Sequence, residues 1–307
     1  MSRILVTGGA GFVGSNLVNK LIQVGHSVTI VDDFSNGLVS NVEKSIPLLK
    51  ADLSKDLWIK ELAGEKFNVV IHCAAQASNA TSFKNPILDA NANQISTLQV
   101  LKYCELESID RLIFTSSMSV YGNQSIFPTP PTTTPNPETY YALHKATSET
   151  YLRLSENINW TIFRLYTTYG AGQNLLNKEQ GLVKIFLNYI LDGVPVRVHG
   201  SGQRVRDIIH VRDVVEAIHL SIFNNKTHKQ IYNLGSGQTI TVDHIINSLY
   251  THMQLNKKYD VIYEPADIGD PFKTHADIYS TKSDLDWSPT ITPEEGIELT
   301  ASKYRFN

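Results

Sequence analysis

Nothing constrains this chain more than the stretch VTGGAGFVGS at residues 6–15, because it joins a short apolar run directly to a helix-patterned one. The preceding RILVTG reads as a buried strand. The following GFVGSNLVNKLIQVG carries apolar residues at helical spacing and closes on Gly25. A strand that turns at once into a helix needs glycine for three reasons: the tight turn, close approach of backbone to a ligand, and close helix–strand packing. Gly8, Gly11 and Gly14 stand at the spacing that serves them. The helix start then presents free N–H groups, a ready site for phosphate. Asp32, at the end of the second apolar run HSVTIVDD, is placed to accept the two hydroxyls of an adenosine ribose and to repel a 2′-phosphate, which favours NAD over NADP. Asp52, after a third β-rich run, is a plausible adenine contact.

The rest of the first half repeats the alternation. NVVIHCAA and RLIFTSS read as further strands, with the helical NPILDANANQISTLQVLKYCE before the second of them. Strands alternating with helices predict an α/β fold built on a doubly wound parallel sheet, with ligands at the carboxyl ends of the strands. After residue 165 the pattern loosens into interleaved helices and short strands. The expected organisation is therefore a dinucleotide-binding domain over residues 1–165, which also holds the catalytic groups, and a smaller mixed α/β substrate lobe over 166–307, interleaved with it. The Pro/Thr-rich FPTPPTTTPNPET reads as a loop beside the suspected active site.

The bulk numbers narrow the function. With 27 basic and 30 acidic residues the net charge is −3, and the basic residues are scattered, which argues against a nucleic-acid footprint or a membrane-binding arm. The longest apolar runs are of strand length, well short of the roughly 18 residues of a membrane span. The chain opens on a strand and has two cysteines, Cys73 and Cys104, without metal spacing, so a reduced cytoplasmic protein is expected. The ten histidines form no metal pattern, and no metal is expected. His210, Tyr121 and Trp160 read as packing residues.

Chemistry points to NPETYYALHKATSE. On a helix Tyr141 and Lys145 lie one turn apart on one face, whereas Tyr140 and Lys145 diverge. A nearby ammonium favours phenolate and is expected to lower the tyrosine pKa from about 10 towards neutrality. Such a phenol can exchange a proton with a substrate hydroxyl while a nicotinamide exchanges hydride. TSSMSVYG follows the fifth strand and places Ser117 at that strand's carboxyl end, where its hydroxyl can bond the same substrate oxygen.

Together with VDDFSNG, HCAAQAS, RLYTTYGAGQ, RVRDIIHVRDVVEA and LDWSPTITPEEGI, these motifs make nearly the whole chain resemble the extended short-chain dehydrogenase/reductases, specifically the NAD-dependent nucleotide-sugar epimerases and dehydratases. The resemblance implies Tyr141 as base, Lys145 on the nicotinamide ribose, and Ser117 as third catalytic residue. It implies Phe12 and Val13 at the pyrophosphate, Asn36 with Asp32 at the adenosine ribose, and Leu53 with Asp52 at the adenine. Ala74, Ala75, Gln76 and Tyr166 would line the cofactor, supported by Asn93, and Arg206 would pair with the diphosphate of a nucleotide sugar. Three positions depart from the pattern. Thr167, a candidate substrate contact, and Gly181 stand where asparagines are common; Asp267 stands where an arginine often meets phosphate, and would repel it unless turned away.

The resemblance further implies hydride removal from a sugar carbon, usually C4. In similar dehydratases an Asp-Glu pair follows the catalytic hydroxyl residue; here Met118 and Ser119 do, which disfavours dehydration. The expectation is a 4-epimerase acting on a UDP-hexose or UDP-N-acetylhexosamine. A GDP-, CDP- or dTDP-sugar, an NAD(P)-dependent C4 dehydrogenase, reductase or dehydratase, and a non-catalytic NAD-binding regulator are the alternatives. A homodimer through helices around residues 90–105 and 140–156 is also expected by resemblance.

Overall fold

The structure, a computed structural model, describes residues 1–255 and 260–304. Six strands run through the first half: β1 (Arg3–Thr7), β2 (Ser27–Asp32), β3 (Leu48–Lys50), β4 (Val69–His72), β5 (Arg111–Ser117) and β6 (Asn159–Leu165). Short strands follow: β7 (Thr167–Tyr169), β8 (Val196–His199), β9 (Val205–Arg206), β10 (Ile208–His210), β11 (Gln230–Leu234), β12 (Ile240–Thr241) and β13 (Val261–Glu264). Seven of these form one sheet in the order β11-β6-β5-β4-β1-β2-β3, every neighbouring pair parallel. The order reverses between β1 and β4, which opens a crevice at the carboxyl ends of those strands. This is the doubly wound sheet that the alternation predicts.

The continuous apolar runs have a simple cause: both faces of the sheet are covered. Ile4, Val6, Ile71, Ile113 and Phe163 pack into one core, while Leu5, Val70, Leu112, Phe114 and Ile162 pack into another on the opposite face. The first core is closed by α1 (Phe12–Gln23), joined from the second half by α8 (Val211–Ser221). The other is closed by Trp58 of α2 (Leu57–Glu61), by Val100, Leu101 and Tyr103, and by Leu152.

Between them in sequence lie α3 (Asn79–Lys84), α4 (Pro86–Ala90), α5 (Ser96–Leu106) and α6 (Tyr140–Leu154). After β7 come α7 (Leu182–Asp192), α8 (Val211–Ser221), α9 (Val242–Met253), α10 (Tyr279–Leu285) and α11 (Pro293–Ala301). Three of these, α7, α9 and α11, surround a third apolar core with Tyr169, Val196, Val198 and Ile208. The second half is not confined to that core: β11 returns to the edge of the main sheet and α8 packs against α1.

Two local features sharpen the sequence reading. The long helical run from Pro86 is not a single α-helix; a π-turn over Asn91–Ile95 separates α4 from α5. Asn91 and Ala92 of this wider turn, and Ser96 at the start of α5, face the central cleft. The Pro/Thr-rich loop does not line the cleft. Pro131 accepts a 3.0 Å hydrogen bond from Arg164 and Thr129 bridges to Ala276, so the loop is pinned against the sheet and the C-terminal segment.

Candidate active site

The crevice is a cleft of about 1030 Å³. Of the site residues expected from the sequence, all but Asn93 line it. Asn93 lies behind the wall, buried in the π-turn, where its side-chain amide donates to the Gln76 carbonyl at 3.0 Å.

At one end stands the glycine turn. Gly8 has φ +70°, and a Cβ there would fall 2.5 Å from the Ala74 nitrogen. A Cβ on Gly14 would collide with the Gly8 carbonyl. These positions therefore demand glycine for packing and backbone angle alike. Gly11 is the N-cap of α1 and offers no side-chain acceptor to its first turn. The first N–H groups of the helix, at Phe12 and Val13, are thus free to meet an anion.

Asp32 is buried at the tip of β2. One carboxylate oxygen accepts the Ala10 N–H at 2.9 Å and the other the Phe34 N–H at 2.8 Å. Burial raises its pKa, and the two backbone bonds oppose the rise. Each oxygen retains a lone pair for a ribose hydroxyl. Asp52 accepts the Ser54 N–H at 2.9 Å, forming a turn at the cleft wall. These groups fit an adenine dinucleotide: a carboxylate for the ribose, bare backbone for the pyrophosphate, and room secured by glycine.

The other end carries the proton-transfer groups. Thr139 caps α6, its hydroxyl accepting the Ala142 N–H at 3.1 Å, which places Tyr141 in the first turn at the positive end of the helix. Ser117 ends β5. Its hydroxyl accepts the Ser119 N–H at 3.1 Å and donates to the Ser119 hydroxyl at 3.1 Å, and it lies close enough to the Tyr141 phenol to favour the phenolate. Lys145, buried one turn further on, donates to the Thr115 carbonyl at 2.8 Å and lies 4.5 Å over the Phe114 ring.

Here the sequence expectation needs correction. The Tyr141 phenol is not lowered towards neutrality but pushed up to about 12. Burial is the main cause; the Ser117 hydroxyl works against it and the charge of Asp89 adds to it. Burial likewise pulls Lys145 down to about 8, against the fields of Cys73, Asp89 and Glu149. The ammonium is spent on the Thr115 carbonyl, and desolvating a phenolate outweighs what remains.

Tyr140 projects outward, 43% exposed, with its ring edge-on to Phe83. His210 packs edge-on to Tyr169, and burial holds it down at about 4. The Tyr121 hydroxyl donates to Asn233 at 2.6 Å, and Arg164 stacks over its ring. All three behave as structural residues.

Several cleft residues escape a motif-based reading. The segment 171–181 crosses the cleft mouth. Asn36 donates to Gln180 at 2.8 Å and accepts from Asn177 at 2.8 Å, while Thr81 donates to Glu179 at 2.8 Å. Between the AGQ that ends the RLYTTYGAGQ motif and Gly181, the one signal of it is composition, the amide-rich NLLNKEQ. His144 is a second omission. It shares a 2.5 Å hydrogen bond with the buried Asp89, which also accepts from Gln76, so the helix of Tyr141 is tied to the wall of the cleft.

On the substrate side Arg206 donates to Asp270 at 2.7 Å and to the carbonyls of Val205 and Phe272; Arg204 holds the other oxygen of Asp270. Burial and the like charge of Arg204 lower Arg206 to about 9, so it stays charged at neutral pH. Asp267 points away from the cleft and pairs with His199 at 3.1 Å, so it does not oppose an anion bound there. Gly181 has φ +80° and caps α7 at the cleft wall, which Thr167 also lines.

A family model described as "NAD dependent epimerase/dehydratase family" matches residues 4–235. The putative UDP-glucose 4-epimerase of Methanocaldococcus jannaschii is 32% identical over 308 residues, covering 99% of each chain. The dTDP-4-dehydro-6-deoxyglucose reductase of Escherichia coli is 30% identical over 322 residues, 98% of this chain and 97% of that one. Among solved structures, the Thermotoga maritima UDP-glucose 4-epimerase with UDP-glucose superposes with a TM-score of 0.92 at 34% identity, covering 98% of both chains.

Proposed function

This chain belongs to the NAD-dependent epimerase/dehydratase family, and from that premise we propose that it is a nucleotide-sugar 4-epimerase working through a transient 4-keto sugar. NAD, the cofactor of the family, supplies the hydride acceptor and donor and, in its oxidised form, a positive ring charge. Every proton in the cycle is the protein's to handle.

In this reading Tyr141 removes the proton from the sugar C4 hydroxyl as hydride leaves C4, and returns it when hydride comes back to the opposite face. Its position in the first turn of α6 favours the phenolate, as does any cation brought against it, so a phenol held at about 12 by burial is the group such charges would tune. Ser117, beside the phenol, bridges it to the substrate oxygen. Lys145, anchored on Thr115, fixes the cofactor ribose and adds its charge behind Tyr141. Asp32 and the free amides of α1 hold the adenosine and pyrophosphate. In this division of labour the sheet domain, residues 1–165, carries cofactor and catalyst, and residues 166–307 supply most of the contacts to the nucleotide sugar, Thr167 and Arg206 among them.

The observation that carries the epimerase outcome is what accompanies the Tyr141 end of the cleft. The carboxylates among the described lining residues are Asp32, Asp33, Asp52 and Asp270; the first three lie at the β2 and β3 ends and the fourth is held by Arg206. Ser117 is followed by Met118 and Ser119, so a second acid/base for dehydration across C5 and C6 is missing where it would be needed. A net reductase is the second reading, supported by the relative named for that activity.

The test incubates the NAD-loaded protein with UDP-, GDP-, CDP- and dTDP-sugars and follows products by NMR, with Tyr141→Phe alongside. Conversion of one sugar to its C4 epimer without added reductant, slowed about 10²–10⁴-fold in the variant, is expected. Stoichiometric consumption of NADH or NADPH would instead identify a reductase. Binding of NAD without turnover of any sugar would leave a non-catalytic binding protein.

A further inference from the structure

Lys184 is a buried cation for which the proton-transfer chemistry has no use. It occupies the third position of α7, is 3% exposed, and lines the cleft. Buried around it on α7 are Val183, Phe186, Leu187 and Ile190, and one turn on Asn188, whose amide already fastens the adjoining segment by donating to the Leu175 carbonyl at 2.8 Å; a methionine would fill the same space without the charge. An ammonium there is unfavourable twice over: it is taken out of water, and it sits at the positive end of the helix dipole. The N-cap, Gly181, brings no side-chain acceptor to that end.

Nor is the charge balanced by the protein. The ammonium donates to the Asn174 carbonyl at 3.1 Å and to the Asn177 carbonyl. Those bonds use two of its three N–H groups and supply no negative charge. Burial is the sole cause of its depressed pKa, about 8, with no carboxylate opposing it among the described residues. Arg206 shares the carboxylate of Asp270 with Arg204, whereas Lys184 has no carboxylate partner among the described residues.

We propose that Lys184 is a specificity-determining residue that pairs with the diphosphate of the bound nucleotide sugar. The inference rests on the nucleotide-sugar reading above and adds to it a residue that selects nucleoside diphosphates over nucleosides. Methionine retains the stem that fills the helix face and removes the ammonium; arginine restores a cation.

The test uses the NAD-loaded protein and measures binding of UDP, GDP, CDP, dTDP and the matching nucleosides by calorimetry, in wild type, Lys184→Met and Lys184→Arg. For the preferred base, Lys184→Met is expected to weaken the diphosphate about tenfold or more while the nucleoside changes less than about twofold. Lys184→Arg recovers part of the loss, and for the turned-over sugar KM rises more than kcat falls. Equal weakening of diphosphate and nucleoside, or no weakening, with wild type binding the diphosphate well, overturns the assignment of Lys184 and leaves the epimerase reading standing. Loss of NAD from Lys184→Met overturns it differently, by moving the ammonium to the cofactor's own pyrophosphate. A wild-type protein that binds none of the diphosphates overturns the nucleotide-sugar reading, and this inference with it.

Discussion

Tyr141 and Lys145 were legible as a pair from their spacing, but their electrostatics were not, because spacing says nothing of burial. The phenol stands at about 12 and the ammonium at about 8, each moved towards its neutral form by loss of water. The same force acts on His72. It is wholly enclosed between Thr7, at 2.7 Å, and Thr97, at 3.2 Å, and burial, aided by Lys145, drives it down to about 3. An unfolded histidine takes up a proton near 6.5, so between about 6.5 and 3 the unfolded chain binds more protons than the folded one. Stability should then fall as pH drops through this window, by about 1.4 kcal/mol per pH unit from this residue. Urea midpoints at pH 7 and pH 5 would show the loss, and His72→Gln should flatten the slope between them. An unaltered slope would mean that His72 is protonated in the folded protein.

At the scale of elements, what the sequence disclosed best was the turn between β1 and α1, because its requirement for glycine is steric and local. Gly14→Ala would drive a methyl group into the Gly8 carbonyl. The expected result is loss of NAD binding of at least about tenfold together with a lowered Tm, read by NAD titration and thermal melting; unaffected NAD affinity would refute the crowding at that turn. What stayed hidden depends on contacts between distant segments. The loop 171–181 meets Asn36 and Thr81 across the cleft through 2.8 Å bonds made beyond its opening AGQ, where it carries no motif. The π-turn at Asn91–Ile95 was equally illegible, since its apolar spacing differs too little from a helix to register. The sequence marks Asp267 as a departure from the family pattern, while the direction of its side chain, towards His199, is set by the fold.

Across the whole molecule, α5 and α6 leave Leu98, Leu106, Leu143 and Leu154 between 39% and 73% exposed, beside Ile95 and Tyr140. We propose that these helices pair with their counterparts in a second copy, as the family resemblance implies. Leu143→Glu would place a charge in that contact and should shift the sedimenting species from dimer towards monomer. A wild-type monomer at micromolar concentration would rule the pairing out. No helix among the described residues is long and apolar enough to cross a membrane.

The measurement closest to the central claim follows a label through one turnover. A nucleotide sugar deuterated at C4 is incubated with the NAD-loaded protein in ordinary water, and the product is read by NMR. If hydride leaves C4 and returns to it while Tyr141 handles the hydroxyl proton, the C4 epimer retains its deuterium, no net NADH absorbance develops, and Tyr141→Phe slows the conversion about 10²–10⁴-fold. Deuterium lost to water or left on released cofactor, or a variant as fast as wild type, would contradict it.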